Sequence, residues 1–190
     1  MKARCQWANA SELYALYHDN DWGVPLHKDN ELFGYLILEG AQAGLSWQTI
    51  LNRRENYRQA FANFDPIKVA AFSAKQIEAL QNNPGIIRNK LKIRSAVTNA
   101  QKFLEIQKEF GSYNNYQWQF VNNKPIQNHW KELSEIPAVS PEATAYSKDL
   151  IKRGFKFVGP LIIYAHMQAT GMVNDHLLSC FRHKEVAKLS

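Results

Sequence analysis

Two cysteines and two histidines lie near opposite ends of the chain, at spacings that could complete a metal site. The spacing is C-x12-H at one end and H-x3-C at the other, and the residues are Cys5, His18, His176 and Cys180. The second pair is four residues apart, so on a helix both side chains would lie on one face. Two thiolates and two imidazoles form a complete tetrahedral zinc set without a position for water, which predicts a structural ion. Such an ion would join the first and last turns of the fold.

The spacing alone leaves other interpretations of the cysteines open. Buried cysteines with ordinary helical histidines would give the same residue types, and the C-x-x-C half-sites of many zinc modules are missing. A disulfide between Cys5 and Cys180 would suit an exported protein, but the N-terminal residues contain no apolar run typical of a signal peptide. No segment approaches a membrane span. We therefore expect a cytoplasmic protein with no membrane partner, in which thiols stay reduced and available to a metal.

The composition is that of an ordinary globular protein with a basic surface. The chain has 190 residues, of which 45% are hydrophobic, so one domain or two small lobes can bury a core. The charged residues give 23 − 17 = +6. This excess, without long basic runs, favours a polyanion over a membrane as the partner, although charge that only maintains solubility would look the same.

The intervening sequence reads mostly as helices, and strand patterns are weak, which predicts an all-α fold. Helices are expected from about residue 31, after a cap at Asp29, and over 66–72, 73–80, 86–107, 140–151 and 160–170. A capping box between Ser73 and Gln76 marks one helix start, and the last of these runs is apolar nearly all round, as in a buried central helix. The segment 111–125 is expected to be irregular. A final helix is expected after Asn174, which would be its N-cap.

The N-terminal third contains one carboxylate in an apolar setting and many aromatic side chains. Glu39 falls on the same helical arc as Leu32 and Leu36, where a carboxylate must be partnered or must face a cavity. A carboxylate at the helix end that reaches solvent or a backbone amide fits the periodicity equally well. The aromatic residues could form a pocket for a planar ligand or could simply be core, and they are Trp7, Tyr14, Tyr17, Trp22 and Trp47.

A short connection bounded by two glycines lies over residues 154–160, between the last two long helices. Four basic residues surround it, namely Lys148, Lys152, Arg153 and Lys156. The N–H groups that open a helix bind phosphate well. The connection resembles the hairpin of a helix-hairpin-helix module, which holds a DNA backbone through main-chain amides. An ordinary corner between two helices would use the same glycines.

Motifs distributed over almost the whole chain carry a closer resemblance. They occupy residues 4–7, 17–25, 38–47, 54–58, 85–88, 153–159 and 172–176. In these motifs the chain resembles the 3-methyladenine DNA glycosylase I family, bacterial base-excision enzymes of the helix-hairpin-helix superfamily. The resemblance implies one all-α domain over residues 1–190, a helix-hairpin-helix element at about 141–171, and a zinc clip that joins the two terminal segments.

The resemblance also implies roles for individual residues. One structural zinc ion per chain would be bound by Cys5, His18, His176 and Cys180. The flipped base would be held by Trp7, Tyr14, Tyr17, Glu39 and Trp47, with Glu39 as the base-reading catalytic residue and Trp22 as support. DNA would contact Gly44, Leu45, Gly154, Lys156 and Gly159. The loop 41–45 would fill the gap left by the flipped nucleotide, although Leu45 could instead be a core residue.

The implied reaction is hydrolysis of the N-glycosidic bond of 3-methyladenine in alkylated double-stranded DNA by a monofunctional, monomeric enzyme. It would release the free base and leave an abasic site. Enzymes of the superfamily usually carry a catalytic aspartate where this chain has Asn174. The methylated base already carries the positive charge that protonation would supply, so it leaves readily and the aspartate can be omitted.

Two other functions remain open from the residues alone. A non-enzymatic, zinc-stabilised DNA-binding module would share the glycine-bounded connection and the basic charge but would not need a pocket around Glu39. A small-molecule zinc hydrolase would need an open coordination position on the metal, so four protein ligands would exclude it.

Overall fold

The structure, a computed structural model, describes residues 2–189. Within them the chain forms eleven α-helices and one pair of short parallel strands. The helices are α1 (Glu12–Asn20), α2 (Asp29–Gln42), α3 (Trp47–Leu51), α4 (Arg54–Ala60), α5 (Pro66–Ala70), α6 (Ala74–Asn82), α7 (Lys90–Phe110), α8 (Tyr113–Trp118), α9 (Pro141–Lys152), α10 (Pro160–Ala169) and α11 (Phe181–Val186). The strands are β1 (Ile126–Gln127) and β2 (Val173–Asn174). The prediction of a mostly helical, all-α protein is confirmed.

Helix α2 lies at the centre of the fold. All its residues from Leu32 to Glu39 are buried, and the helix packs against α7 and α10. Gly34 is required at one of these contacts, because a Cβ there would lie 2.6 Å from the ring of Phe64. An apolar helix buried on nearly every side is the usual core of a helical domain. Its one buried carboxylate, Glu39, therefore stands out.

Local capping signals account for several helix boundaries. The capping box of Ser73 and Gln76 is present at the start of α6. The predicted helix over 86–107 starts later, at Lys90, because the side chain of Asn89 accepts hydrogen bonds from the N–H groups at the helix start. It continues to Phe110 and ends at Gly111, whose φ of +82° is the left-handed conformation of a helix C-terminus.

Two predictions are wrong because Asp29 caps a different helix from the one expected. The segment 111–125 is not irregular throughout, since it contains α8. Asp29 does not cap α2, which already begins there after Lys28. Its carboxylate instead accepts hydrogen bonds from the N–H groups of Tyr113 (2.8 Å) and Asn114 (2.9 Å), so it caps a helix more than eighty residues away in sequence.

The predicted final helix is present but starts later than expected, and Asn174 does not cap it. Asn174 lies in β2, where it pairs with Gln127 of β1, and the next helix begins only at Phe181. The Asn174 amide donates to Gln127 Oε1 (2.8 Å) and to the carbonyl of His183 (3.0 Å), so it is not an N-cap. Consequently His176 and Cys180 lie in a loop and do not share a helical face.

The connection between α9 and α10 is fastened to the body of the protein. Asn99 of α7 accepts a hydrogen bond from the N–H of Lys156 (2.8 Å) and donates one to its carbonyl (2.9 Å). Ser147 donates to the carbonyl of Val158 (2.6 Å). The turn is made possible by Gly154, whose φ is +95°. The connection is therefore a fixed surface and its orientation follows that of α7.

The two terminal segments meet at Gly171. A Cβ at Gly171 would lie 2.3 Å from the main-chain carbon of Val24, so only glycine fits there. The neighbouring main chains are joined by hydrogen bonds from Gly23 to Gln168 (3.0 Å) and from Leu26 to Thr170 (3.0 Å). None of the helices described by the structure is long and apolar enough to cross a membrane.

Candidate metal site and aromatic pocket

The four predicted metal ligands come together. The ligand atoms of Cys5, His18, His176 and Cys180 all lie within 4.8 Å of one another, and all four residues are buried. The sulfur of Cys180 is 3.4 Å from His18 Nε2 and 3.7 Å from His176 Nδ1. Tetrahedral zinc bonded to sulfur and nitrogen separates such atoms by about 3.6 Å. The spacing therefore fits a four-coordinate ion, and both cysteines are free thiols.

Neighbouring groups orient both histidine ligands. The other ring nitrogen of His18 lies 2.8 Å from the carboxylate of Asp19, which Arg4 holds through three hydrogen bonds. The other ring nitrogen of His176 lies 3.0 Å from the main-chain oxygen of Trp22. When each of these nitrogens carries the ring proton, the remaining nitrogen faces the thiols with a free lone pair. This is the support that metal-binding histidines usually have.

Beside this cluster lies a cavity of about 440 Å³. It is lined by Trp7, Tyr14, Tyr17, Trp22, Glu39, Gln42, Trp47, Leu133, Ile136, Ala165 and Gln168. All five residues that the sequence assigned to base binding are among them. The ring of Tyr17 lies 5.4 Å from that of Trp47 and 6.3 Å from that of Trp7. These rings line one cavity, so a flat aromatic molecule that enters it can pack against them.

Trp22 both supports the pocket and lines it. Its indole packs edge-to-face against Trp7, with ring centroids 5.1 Å apart, and against His176, at 4.7 Å. Trp22 therefore contacts both a predicted pocket residue and a candidate metal ligand, and it also forms part of the cavity wall.

Glu39 places an unpartnered carboxyl group in the wall of this cavity. Its side chain is 3% exposed, and it has no hydrogen bond to any residue in the range 2–189. Burial raises the pKa of the Glu39 carboxyl to about 8. The buried indole N–H of Trp47 likewise has no partner in the part of the chain that the structure describes. Buried polar groups are normally paired, so these two groups are available to form hydrogen bonds with a polar ligand.

A second cavity of about 360 Å³ adjoins the first. Four residues line both, namely Glu39, Gln42, Ala165 and Gln168. The second cavity is otherwise bounded by the loop after α2, including Gly44 and Leu45, and by the first turn of α10, including Leu161. Gly44 has a φ of +79° and Leu45 is 40% exposed, so the Leu45 side chain is a surface residue rather than core.

Sequence reasoning missed Lys92, which holds this loop in place. Its ammonium group donates to the carbonyls of Ala41 (2.9 Å) and Ala43 (2.5 Å) at the end of α2. A cation at a helix C-terminus is favourable because it satisfies carbonyls that have no helical partner. Desolvation lowers the pKa of the Lys92 amine. No sequence signal links Lys92 to a loop about fifty residues earlier.

The connection between α9 and α10 exposes both charge and main-chain donors. Lys156 is exposed, and no ion pair holds it among residues 2–189. The N–H groups of Gly159, Leu161 and Ile162, where α10 begins, have no hydrogen-bond acceptor in the described range. Arg153 differs, because ion pairs with Asp149 (2.6 Å) and Glu109 (2.7 Å) hold it. The free donors of this surface are therefore amides and lysines.

Comparison with known proteins gives consistent matches along the chain. A family model described as methyladenine glycosylase matches residues 7–183. The DNA-3-methyladenine glycosylase 1 of Escherichia coli (strain K12) is 47% identical over 177 residues, which cover 93% of this chain and 95% of that protein.

Two solved structures are similar along most of their length. A crystal structure of 3-methyladenine DNA glycosylase I superimposes with a TM-score of 0.91 at 46% identity, covering 94% of this chain and 98% of that one. A tyrosine-to-phenylalanine variant of a 3-methyladenine DNA glycosylase I, solved in complex with 3-methyladenine, gives a TM-score of 0.90 at 38% identity. It covers 94% of this chain and 96% of that one.

Proposed function

The chain belongs to the methyladenine glycosylase family, and from this membership we propose how its own residues excise 3-methyladenine from alkylated DNA. The enzyme hydrolyses the N-glycosidic bond, releases the free base and leaves an abasic site. The observation that carries the proposal is the buried, unpartnered carboxyl group of Glu39 in the wall of an aromatic cavity. A non-enzymatic DNA-binding module would have no use for it, because an unpaired buried carboxyl group destabilises a fold.

The aromatic cavity holds the flipped base. A glycosylase must move its target nucleotide out of the helix stack, which costs a few kcal/mol. Stacking on aromatic side chains returns about 1–3 kcal/mol per base. Trp7, Tyr14, Tyr17 and Trp47 supply these faces. They also favour a cationic base, because the face of an aromatic ring attracts positive charge.

Glu39 distinguishes the damaged base from a normal one. 3-Methyladenine attached to its sugar is a cation, and adenine is neutral. The free pocket favours the uncharged carboxylic acid, since burial raises the pKa of Glu39 to about 8. A cationic base beside it favours the carboxylate, because an opposite charge lowers a carboxyl pKa. The ion pair and its hydrogen bonds then form only with the lesion.

The charge of the lesion also explains how the reaction proceeds without an aspartate at position 174. Cleavage transfers the bonding electrons to the base, which leaves neutral while positive charge develops on the sugar. A base that already carries the charge needs no protonation. Asn174 is buried, with its amide committed to Gln127 and to the carbonyl of His183, and its side-chain oxygen accepts from the N–H of His176. Its contacts support a structural role.

Double-stranded DNA binds across α10 and the loop after α2. The two helices α9 and α10 with their connection act as the helix-hairpin-helix element at about 141–171 of a single domain. The amides near Gly154 and Gly159 and the side chain of Lys156 meet backbone phosphates, which a helix N-terminus binds well. Gly44 and Leu45 stand beside the base pocket, where an exposed leucine can fill the gap in the stack. The protein acts as a monomer.

A structural zinc ion joins the two ends of the chain through Cys5, His18, His176 and Cys180. The donor set supports zinc, since two thiolates and two imidazoles are its preferred ligands and leave no open position. The ion supplies cross-linking and no reactive water, and the small-molecule hydrolase is therefore not favoured. Reduced thiols of this kind suit the cytoplasm.

Release of free base tests the function. The protein is incubated with methylated DNA, and the released bases are separated by chromatography. The expected product is 3-methyladenine, with an alkali-labile abasic site left in the strand. Absence of released base from the metal-loaded, folded protein would refute the glycosylase function. A Glu39→Gln variant tests the role of the carboxylate in the same assay.

A further inference from the structure

One buried carboxylate outside the proposed base-binding set collects four hydrogen bonds. Asp175 is 1% exposed. Its Oδ1 accepts from Asn128 Nδ2 (2.7 Å) and Trp130 Nε1 (2.8 Å). Its Oδ2 accepts from the Tyr164 hydroxyl (2.7 Å) and Gln168 Nε2 (2.8 Å). Asp175 thus joins the segment after β1 to the face of α10 that lines the cavities.

This arrangement fixes which end of the Gln168 amide faces the cavities. A carboxylate only accepts hydrogen bonds, so the NH₂ group of Gln168 must turn towards Asp175. Gln168 then offers its carbonyl oxygen, which has no hydrogen bond to any residue from 2 to 189. Gln42 lines the same two cavities, but its side-chain amide has no hydrogen bond in that range to hold it. Of these two glutamines, only Gln168 has its carbonyl oxygen held in a fixed direction, as a neutral hydrogen-bond acceptor.

In the proposed binding mode, Gln168 lies near the bond between base and sugar. It lines both the aromatic cavity and the cavity beside the Gly44–Leu45 loop and the start of α10. With the base in the first and the DNA backbone beside the second, the bond between base and sugar crosses the boundary. The residues common to both cavities therefore surround the sugar carbon that loses the base. Among them only Glu39, Gln42 and Gln168 have polar side chains.

We propose that the carbonyl oxygen of Gln168 accepts a hydrogen bond from the water molecule that attacks this carbon, and that Asp175 is the positioning residue which aims it. The inference rests on the proposed glycosylase function. The bond from C1′ to the base breaks, and its electron pair neutralises the base. A lone pair of the water forms the new C1′–O bond, and the extra proton passes to solvent water. The product is the abasic sugar.

A neutral acceptor is sufficient for this step. The sugar cation is a strong electrophile, so water need not be deprotonated before it attacks, only held in line. Without an aimed water, the base remaining in the pocket recombines with the sugar cation, and net excision slows. Misplacement of a reacting group by about 1 Å can lower a rate by two decades. The acceptor thus contributes through position and not through basicity.

The first test replaces Gln168 by methionine, which keeps length and helix propensity but removes the carbonyl and the NH₂ group of the side-chain amide. Single-turnover excision is expected to fall by about one to two decades. With methanol added, the sugar cation is trapped partly as an alkali-stable methyl glycoside. The ratio of methyl glycoside to abasic product is expected to rise several-fold, towards the composition of the solvent. A merely structural role would not change this ratio.

The second test is Asp175→Asn, which should reverse the Gln168 amide without removing it. The indole of Trp130 can only donate, so the Asn oxygen must stay towards Trp130 and its NH₂ group must face Gln168. Gln168 then turns its carbonyl inward and presents N–H groups to the cavities. We expect the same shift in product ratio as for Gln168→Met. Asn128→Ala, which removes another donor to Asp175 outside the cavities, is the matched control and should leave the ratio unchanged.

The outcomes separate the two levels of the proposal. If wild-type protein releases no base, the glycosylase function fails and the inference falls with it. If wild type is active while Gln168→Met keeps the wild-type rate and product ratio, the inference alone is overturned. A ratio that shifts in Glu39→Gln but not in Gln168→Met would assign the water to Glu39 and would also overturn it. Unchanged metal content in Asp175→Asn shows that the neighbouring His176 site is intact.

Discussion

His176 and Trp22 are in contact twice: the imidazole forms a hydrogen bond with the Trp22 main-chain oxygen (3.0 Å), and it packs edge-to-face against the indole, with ring centroids 4.7 Å apart. His176 belongs to the candidate metal cluster, and Trp22 lines the aromatic cavity. The two sites therefore share a wall. If the cluster binds a metal, its loss should therefore change the aromatic cavity as well as the stability of the fold.

Replacing Cys180 by serine is expected to lower metal content and thermal stability together. Structural zinc in small motifs contributes on the order of 10–16 kcal/mol of apparent binding free energy. Here it would close a loop between residues at the two ends of the chain. Because of the Trp22 contact, affinity for free 3-methyladenine should also fall. Metal analysis, thermal denaturation and base titration measure the three effects.

The exposed neighbour Ser179 provides the control, since Ser179→Ala should leave all three quantities at wild-type values. A metal-free Cys180→Ser protein with native stability and normal excision would show that the cluster does not bind a structural ion.

Glu39→Gln is expected to lower excision by roughly one to two decades. The substitution preserves shape and one acceptor but removes the charge. A charge-assisted hydrogen bond contributes roughly 1.5–3 kcal/mol, against about 1 kcal/mol for a neutral one. Free 3-methyladenine is neutral at pH 7, so its binding should weaken less than excision does. Affinity for undamaged duplex should be nearly unchanged.

Single-turnover excision and duplex titration on the same variant provide the measurement, and circular dichroism confirms the fold. Excision at the wild-type rate would leave Glu39 a structural residue.

The raised pKa of Glu39 predicts that the free protein loses stability with rising pH. Between about pH 4.5 and 8 the native carboxyl keeps its proton while the unfolded chain releases it. The native state then binds more protons, so the free energy of unfolding decreases as pH rises through this window. Each pKa unit corresponds to about 1.4 kcal/mol, which gives an effect on the order of a few kcal/mol. The Glu39→Gln variant has no carboxyl group at this position, so its free energy of unfolding should not show this decrease.

The quantity to measure is the difference in unfolding midpoint between Glu39→Gln and wild type, at pH 5 and at pH 8. The unfolding midpoint of the variant should rise relative to that of wild type as pH rises. Glu12→Gln, at an exposed position on α1, serves as the control. A difference independent of pH would mean that Glu39 is ionised in the free protein.

Lys156→Ala is expected to weaken binding to damaged and undamaged duplex by the same factor. Lys156 is exposed beside the free amides at the start of α10, and in the proposed binding mode it contacts phosphate, which carries no information about the base. The slope of log affinity against log salt should become less negative by about 0.9.

Duplex titrations at several salt concentrations test this, with Lys184→Ala on α11 as a charge-matched control at the metal-site end of the chain. A loss confined to damaged DNA would mean that Lys156 acts on the flipped base.

Short-range sequence patterns predicted many helices of this protein. Caps and apolar periodicity depend on residues within a few positions, so Ser73 with Gln76 marked α6, and Ser140-Pro141 marked α9. Two predictions failed because the determining partner is distant in sequence. Asp29 stabilises the start of α8 by accepting hydrogen bonds from its first N–H groups, and β2 forms because β1 lies beside it. A local sequence pattern reveals neither contact.

The residue types of the site were determined by the sequence, and their geometry by the tertiary structure. Spacing and family resemblance gave the metal cluster, the aromatic residues and Glu39, because each carries its chemistry in its own side chain. Neither spacing nor family resemblance identified Lys92 or Gln168. Lys92 acts because it reaches the end of α2, and Gln168 is distinctive because Asp175 holds its amide in one orientation. Hydrogen-bond direction depends on a partner's position in space, and only the folded chain decides that.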